Sequence, residues 1–208
     1  MKKFLLIDDH VVVRSGIKML LTDIYKDAQI EEATNGATAQ SILKLNSFDL
    51  ALLDIQMPET DTLALMENFK LNFPNLKVLV FSMSPENIYA VRFIRAGAKG
   101  FINKDAPLTE LKLAIEQVLN GKKYMSDDML GLLAEGSSLQ AISNPFSKLS
   151  AREFEIVSLL LHGKTISKIA QDLSLGISTV GTHKGRIFTK LNVTNLLELK
   201  ELSNTHHI

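Results

Sequence analysis

The sequence predicts an α/β fold, a doubly wound five-stranded parallel sheet, followed by a small all-α helix-turn-helix domain. Two observations support this prediction. In the first 124 residues, five short apolar runs alternate with longer amphipathic stretches, which is typical of a parallel sheet with helices on both faces. After residue 147, apolar residues recur only at helical spacing.

The five strands are predicted at the apolar runs, which span residues 4–7, 29–33, 50–53, 78–81 and 100–102. Helical patterns lie between them and after the last run, for example at 11–25 and 107–121. Turn signals such as Asn35-Gly36 and Pro74-Asn75 separate these elements. We therefore assign residues 1–124 to the first domain.

Residues 125–146 are predicted to form a linker, because this stretch is small and polar toward its end and contains a proline. A short helix is expected within it, at 127–136. Residues 147–208 form the second domain, where Ser150 and Glu153 have the spacing of a capping box. Four short helices with tight turns are predicted there.

Composition excludes several classes of protein. The 208 residues contain no cysteine, so neither a disulfide framework nor a thiolate metal site is possible. The apolar run at the N-terminus is too short for a signal peptide or a membrane span, and we expect a cytoplasmic protein with no membrane partner. The net charge is zero, but residues 146–208 carry 8 basic and 5 acidic side chains, so the C-terminal part is the basic one, though only mildly.

Polar side chains follow four of the predicted strands. Asp8 and Asp9 follow the first, Asp54 the third, Ser82 the fourth and Lys104 the fifth. Ligands bind beyond the carboxyl ends of strands in such sheets. Three carboxylates at one edge of the sheet would repel each other, so a cation is expected between them. Oxygen ligands without cysteine favour Mg²⁺. A lysine and a hydroxyl beside it suit a phosphoryl group, which a carboxylate can accept.

The segments "LLIDDH", "LALLDIQMP", "VLVFS" and "AGAKGFINKD" resemble the flavodoxin-like receiver domain of two-component response regulators. The resemblance implies that a sensor histidine kinase phosphorylates Asp54, and that Ser82 and Lys104 contact the phosphoryl group. It implies Phe101 as the aromatic switch. The implied Mg²⁺ ligands are Asp8, Asp9, Asp54 and the backbone carbonyl of Gln56.

Three positions depart from the receiver pattern. Thr62 replaces a usual glycine, so the turn before it is expected to differ. Met83 stands where a small residue is usual and is expected to hinder phosphoryl access. Phe101 replaces the commoner tyrosine, so the switch lacks a hydroxyl.

The C-terminal segments "LSAREFEI", "GKTISKIAQDL", "STVGTH" and "IFTKLNV" resemble the helix-turn-helix domain of LuxR-type (NarL/FixJ) transcription factors. The resemblance implies that helix 177–190 lies in the major groove of double-stranded DNA. A dimer on DNA is expected, because a balance of +3 is weak for a single copy. The candidate DNA contacts are Ser178, Thr179, Gly181, Thr182, Lys184, Gly185, Arg186 and Lys190.

A helical wheel divides helix 177–190 into two faces. Ile177, Val180, Ile187, Phe188 and Leu191 form the predicted core face. Lys184 lies over that face and is expected to snorkel or be partly buried.

Gly181 and Gly185 lie at the edge of the apolar stripe or off it, although each costs a helix about 1 kcal/mol. We hypothesise that they let the backbone approach the duplex closely.

Two alternatives remain at this stage. The acidic cluster also suits a haloacid-dehalogenase-like Mg²⁺ phosphatase, but such enzymes place the nucleophile after the first strand in a D-x-D pattern, so we expect a regulator and not an enzyme. The helical domain could instead bind protein, as in a signalling adaptor. The last helix, with Leu196, Leu197, Leu199 and Leu202, packs into the bundle or forms a dimer contact; the sequence does not choose.

Overall fold

A computed structural model of the chain describes residues 1–57, 60–126, 129–130, 144–173 and 175–206. Contacts divide the chain into two compact units, Met1–Ser138 and Leu139–Ile208. The helix expected at 127–136 and most of the predicted linker lie outside the described residues. Phe146, the last residue of that predicted linker, is fully buried in the second unit.

The first unit contains one parallel sheet with strand order β2-β1-β3-β4-β5. This order is that of the flavodoxin-like doubly wound fold, as predicted. The strands are β1 Lys3–Ile7, β2 Gln29–Ala33, β3 Leu50–Leu53, β4 Lys77–Ser82 and β5 Gly100–Asn103. The helices between and after them are α1 Val11–Ile24, α2 Gly36–Leu45, α3 Thr62–Asn72, α4 Glu86–Ala96 and α5 Leu108–Leu119.

Alternate strand residues face opposite sides of the sheet, and this alternation builds two cores. Phe4, Leu6 and Leu52 pack with the apolar stripes of α1 and α5 in one buried cluster. The stripes have helical spacing, as Ile17 and Leu21 in α1 show. Because both faces of the sheet are covered, the strands other than the edge strand β2 read as nearly continuous apolar runs, and all five were predicted within one residue at each end.

The α3 helix begins where the sequence departs from the receiver pattern. Asp61 caps the helix by accepting hydrogen bonds from the backbone N–H groups of Leu63 and Ala64. The Thr62 hydroxyl donates to the carbonyl oxygen of Ile55 at 3.2 Å. Thr62 is buried, so a side-chain hydrogen bond ties this turn to the loop that follows β3.

The second unit is helical throughout its described part. A 3₁₀ helix Pro145–Lys148 precedes α6 Ala151–Leu161, α7 Ile166–Asp172, α8 Ile177–Leu191 and α9 Leu196–Thr205. The Ser150–Glu153 capping box is present at the start of α6, as predicted. The α8 helix packs against α6 and α7, and it ends at Asn192, whose backbone is left-handed with φ of 55°.

Candidate functional site

The predicted polar side chains meet at one edge of the sheet. Asp54 directly follows β3, and its backbone N–H donates to the carbonyl of Ile7, the last residue of β1. Ser82 ends β4, and its carbonyl accepts from the backbone N–H of Lys104 at 3.0 Å. Register between neighbouring strands therefore brings the ends of β1, β3, β4 and β5 to one pocket.

Asp54 lies at the centre of this pocket and is 1% exposed. Its Oδ1 accepts hydrogen bonds from the Ser82 hydroxyl at 2.8 Å and from the Gln56 backbone N–H at 3.0 Å. Its Oδ2 lies 2.7 Å from Lys104 Nζ. Both oxygens of a buried carboxylate are thus held in fixed directions.

Lys104 joins Asp54 to Asp8. Its Nζ is 2.7 Å from Asp8 Oδ2 as well as from Asp54 Oδ2. Burial of the ammonium disfavours its charge, but the two carboxylates outweigh burial and raise the pKa of Lys104. The lysine is therefore positively charged at neutral pH.

The ligand atoms of a cation site are present. Oxygens of Asp8, Asp9 and Asp54 and a ring nitrogen of His10 all lie within 4.8 Å of one another. Three carboxylates at this spacing form a donor set that fits Mg²⁺. The cation role predicted for the Gln56 carbonyl stays a prediction, since the contact found at Gln56 is made by its N–H.

Sequence reasoning missed two side chains at this pocket. His10 Nδ1 lies 3.1 Å from Asp8 Oδ1 and 3.0 Å from Asp9 Oδ1; its adjacency to the acids in "DDH" was the available signal. Arg14 Nη1 donates to the Asp8 carbonyl at 2.7 Å, and its Nε donates to Glu32 at 2.9 Å. No pattern in the amphipathic α1 marks Arg14 as a buried anchor of the β1 end.

The predicted switch residue lies in β5, and the residue expected to hinder phosphoryl access lies in the loop after β4. Phe101 in β5 is fully buried. Ser84 is also buried, and its backbone N–H donates to the Ser82 hydroxyl at 3.3 Å. Met83 between the two serines is 49% exposed, so its side chain lies at the surface of the loop after β4.

The α8 helix presents the outward face that the wheel predicted, with one correction. Val180, Ile187 and Leu191 are buried. Ile177, predicted in the core, is 60% exposed, because it is the first residue of α8 and no preceding turn of the helix covers it. The residues that the wheel places away from the core face are exposed, as is Gly181 at its margin: Ser178, Thr179, Thr182, Gly185, Arg186 and Thr189.

Both predicted lysine contacts of α8 already have neighbours within the domain. Lys184 is half-buried, with Nζ 5.2 Å from the centroid of the Phe188 ring, which confirms the partial burial expected for it. Lys190 Nζ is 2.6 Å from Glu153 Oε2. Burial disfavours the Glu153 carboxylate, but Lys190 and the capping hydrogen bond outweigh it and lower its pKa. Lys190 is therefore the counter-ion of the α6 cap, which the DNA-contact prediction did not foresee.

The two glycines of α8 are in open space. A methyl group at Gly181 or Gly185 would meet nothing within 4 Å. Packing within the described domain therefore places no demand for glycine at either position. The hydroxyls of Thr182 and Thr189 donate to the carbonyls of Ser178 and Gly185, four residues earlier, which leaves their methyl groups and oxygen lone pairs outward.

The leucines of α9 divide between two environments. Leu199 is fully buried and Leu202 is half-buried, whereas Leu196 is 44% and Leu197 is 68% exposed. The first pair packs into the bundle. The second pair forms an apolar patch at the N-terminal end of the helix.

The first unit has an acidic pocket suited to a phosphoryl group on a flavodoxin-like sheet, and the second contains a helix-turn-helix. This combination defines a two-domain signalling regulator. Residues 4–116 match the response regulator receiver domain, and residues 147–202 match the bacterial regulatory proteins of the luxR family. The chain belongs to the NarL/FixJ-type two-component response regulators, transcription regulators with a LuxR-type DNA-binding domain. This membership removes the dehalogenase-like phosphatase as an alternative.

Two response regulators align with nearly the whole length of this chain. The chain is 30% identical to the response regulator UvrY of Escherichia coli K12, over 97% of this chain and 93% of UvrY. It is 33% identical to the response regulator GacA of Pseudomonas aeruginosa, over 99% and 97% of the two chains. RcsB of Salmonella typhimurium shares the fold, with a TM-score of 0.61 and 23% identity over 97% and 98% of the chains. Among the described residues, no helix has both the length and the apolar character needed to cross a membrane.

Proposed function

We propose that a sensor histidine kinase phosphorylates the chain on Asp54, and that phosphorylation controls dimerisation and sequence-specific DNA binding by α8. The observation that carries this proposal is the environment of the Asp54 carboxylate. It is buried, it is held by Ser82 and Lys104 at 2.8 and 2.7 Å, and it lies beside the carboxylates of Asp8 and Asp9.

In the proposed reaction, an oxygen of Asp54 attacks the phosphorus of a phosphohistidine. A P–O bond forms, the P–N bond breaks, and the electron pair of that bond returns to the imidazole. The Lys104 ammonium offsets negative charge on the phosphoryl oxygens, and the Ser82 hydroxyl, already directed at Asp54, donates a hydrogen bond to one of them.

The residues that would hold Mg²⁺ are Asp8, Asp9 and Asp54, with the Gln56 carbonyl. When bound, the cation would neutralise charge on the phosphoryl group. Asp8 is held for this role by the Arg14 guanidinium on its carbonyl and by Lys104 on its Oδ2.

Phosphorylation would replace the single negative charge of the Asp54 carboxylate by a phosphoryl group of about −2 charge, and the proposed response involves Ser82, Phe101 and the face formed by residues 86–105. In the structure the Ser82 hydroxyl donates to Asp54, and Phe101 is buried. Phenylalanine lacks the hydroxyl that would favour an exposed ring.

For the second domain, we propose that α8 enters the major groove and that Ser178, Thr179 and Arg186 contact bases or phosphates. RcsB of Salmonella enterica serovar Typhimurium has been solved bound to promoter DNA, and two RcsB dimers have been solved on two parallel DNAs. These complexes support a dimer on DNA for this chain. We place the protein in the cytoplasm, where the DNA is.

The first experiment labels the purified chain with acetyl phosphate and Mg²⁺. Asp54→Asn should abolish labelling and Asp9→Ala should weaken it, whereas the exposed Asp27→Asn, a matched control, should label like the parent. Labelling that persists in Asp54→Asn would assign the phosphoacceptor elsewhere.

The second experiment sequences the DNA fragments that the phosphorylated chain retains from a random pool. Enrichment of one motif, with binding that falls steeply as salt rises, supports DNA recognition. Absence of enrichment would favour the adaptor, whose helical domain binds protein.

A further inference from the structure

His10 occupies a position in the acidic pocket that the proposed reaction leaves unused. Its Nδ1 lies 3.1 Å from Asp8 Oδ1, 3.0 Å from Asp9 Oδ1 and 4.0 Å from Asp54 Oδ2. One ring nitrogen therefore faces all three carboxylates that would hold the cation.

Local backbone structure holds the imidazole there. His10 is the N-cap residue of α1, a position whose side chain often caps the helix, yet the His10 side chain makes no capping hydrogen bond. Its backbone N–H instead donates to Asp8 Oδ1 at 2.7 Å. That hydrogen bond folds the chain back on the strand end and brings Nδ1 against the carboxylates, while 59% of the His10 side chain stays exposed at the edge of the pocket.

Lys104 and His10 contact different carboxylate oxygens in the pocket, which leaves room for a cation bound by a nitrogen as well as by oxygens. Lys104 Nζ contacts the Oδ2 atoms of Asp8 and Asp54. The Oδ1 atoms of Asp8 and Asp9 face His10. A cation at about 2.1 Å from its ligands separates opposite ligands by roughly 4.2 Å, so small shifts from the observed 4.8 Å spread would let the four groups share one ion.

We propose that His10 is a metal ligand, and that its imidazole makes this site prefer a first-row transition metal such as Mn²⁺ over Mg²⁺. An imidazole nitrogen adds more to the affinity for a first-row transition metal, of which Mn²⁺ is the weakest binder in the series, than to the affinity for Mg²⁺, which takes hard oxygen ligands. The inference rests on the proposed cation site at Asp8, Asp9 and Asp54, and it adds a selectivity-determining residue to that site.

The test uses the full chain and compares binding of Mg²⁺ and Mn²⁺ by isothermal titration calorimetry. His10→Asn replaces the ring nitrogen with a short amide while keeping a good N-cap residue. We expect the Kd for Mn²⁺ to rise about tenfold, the lower end of losses seen when metal-site partners are removed, and the Kd for Mg²⁺ to stay near the parent value. His162→Asn, at the exposed end of α6, is the matched control and should leave both constants unchanged.

A second measurement detects the ligand itself. Pulsed electron paramagnetic resonance of the Mn²⁺-loaded chain should show ¹⁴N modulation that His10→Asn removes and His162→Asn keeps. Equal Mn²⁺ preference in parent and His10→Asn, or tighter binding of both metals in His10→Asn, would overturn the inference, the latter because the imidazole would then be a competitor of the cation. Loss of the proposed cation site is a separate result, in which neither metal binds the parent chain and Asp9→Asn changes nothing.

Discussion

Replacing Gly181 or Gly185 by alanine tests whether the recognition helix is kept bare for close contact with DNA. Both positions are exposed in the 15-residue α8, and an added methyl group would meet nothing within 4 Å. The change in folding free energy therefore reduces to helix propensity, about 0.5–1 kcal/mol of stabilisation per substitution. In a helical unit of this size that gain raises Tm by roughly 2–8 °C.

The assay is a thermal melt and a DNA titration of a fragment spanning residues 139–208, the second compact unit. The fragment must begin before Asn144, since Asn144 caps the 3₁₀ helix and Phe146 is buried. Gly163→Ala is the control. Its φ of +77° is left-handed, so alanine there should destabilise by about 1–2 kcal/mol.

Close approach predicts that both alanine variants melt later and bind the selected operator more weakly, because the methyl group holds the helix away from the groove. If both variants melt later and bind as tightly as the parent, the close-approach hypothesis is wrong. Variants that do not melt later would refute the propensity argument instead.

Two further predictions concern buried charges. Lys104→Met leaves the carboxylates of Asp8 and Asp54 facing each other without the lysine ammonium between them. It should lower the unfolding free energy of the first unit by about 3–5 kcal/mol, measured by urea titration without divalent metal. Added Mg²⁺ should recover part of that loss, and an unfolding free energy independent of Mg²⁺ would contradict the proposed cation site. Burial, with a smaller contribution from Arg186 and other cations, lowers the pKa of His183 although Glu153 opposes it. As pH falls, the unfolded chain therefore binds a proton at His183 before the folded chain does. The contribution of neutral His183 to stability is fully present above about pH 6.5 and is lost as pH falls toward the lower pKa of the folded state. His183→Gln should flatten this pH dependence of Tm in thermal melts between pH 5 and pH 8.

Much of the acidic pocket could be predicted because each of its main residues follows an apolar run directly or after one residue. A buried parallel strand shows itself as continuous hydrophobicity, so the first polar residue after it marks the carboxyl edge of the sheet. Asp54 after β3 and Lys104 after β5 were found in this way. The pocket could be predicted without knowing the strand order, because all carboxyl ends of a parallel sheet lie at the same edge.

The features that escaped prediction depend on contacts between distant residues or on the reach of one side chain. The Lys190–Glu153 pair joins residues 37 positions apart, and periodicity carries no information about such a pair. Ile177 has the correct helical phase for the core but is the first residue of its helix, where phase alone does not determine burial. Arg14 lies in an amphipathic helix whose pattern does not show that its guanidinium reaches the β1 end.

The surroundings of the α8 lysines determine what kind of DNA surface this helix can offer. Lys190 is paired with Glu153, and Lys184 lies over Phe188, so the exposed Arg186 carries the charge of the outward face. Phosphate neutralisation supplies most non-specific affinity, and this face has little of it. The serine and threonine hydroxyls and the glycine backbone of α8 contribute to DNA affinity only where the helix lies close to the duplex. Binding by one copy would therefore be weak, and pairing two copies would raise affinity through effective concentration. A receiver that controls dimerisation would then control most of the affinity for DNA.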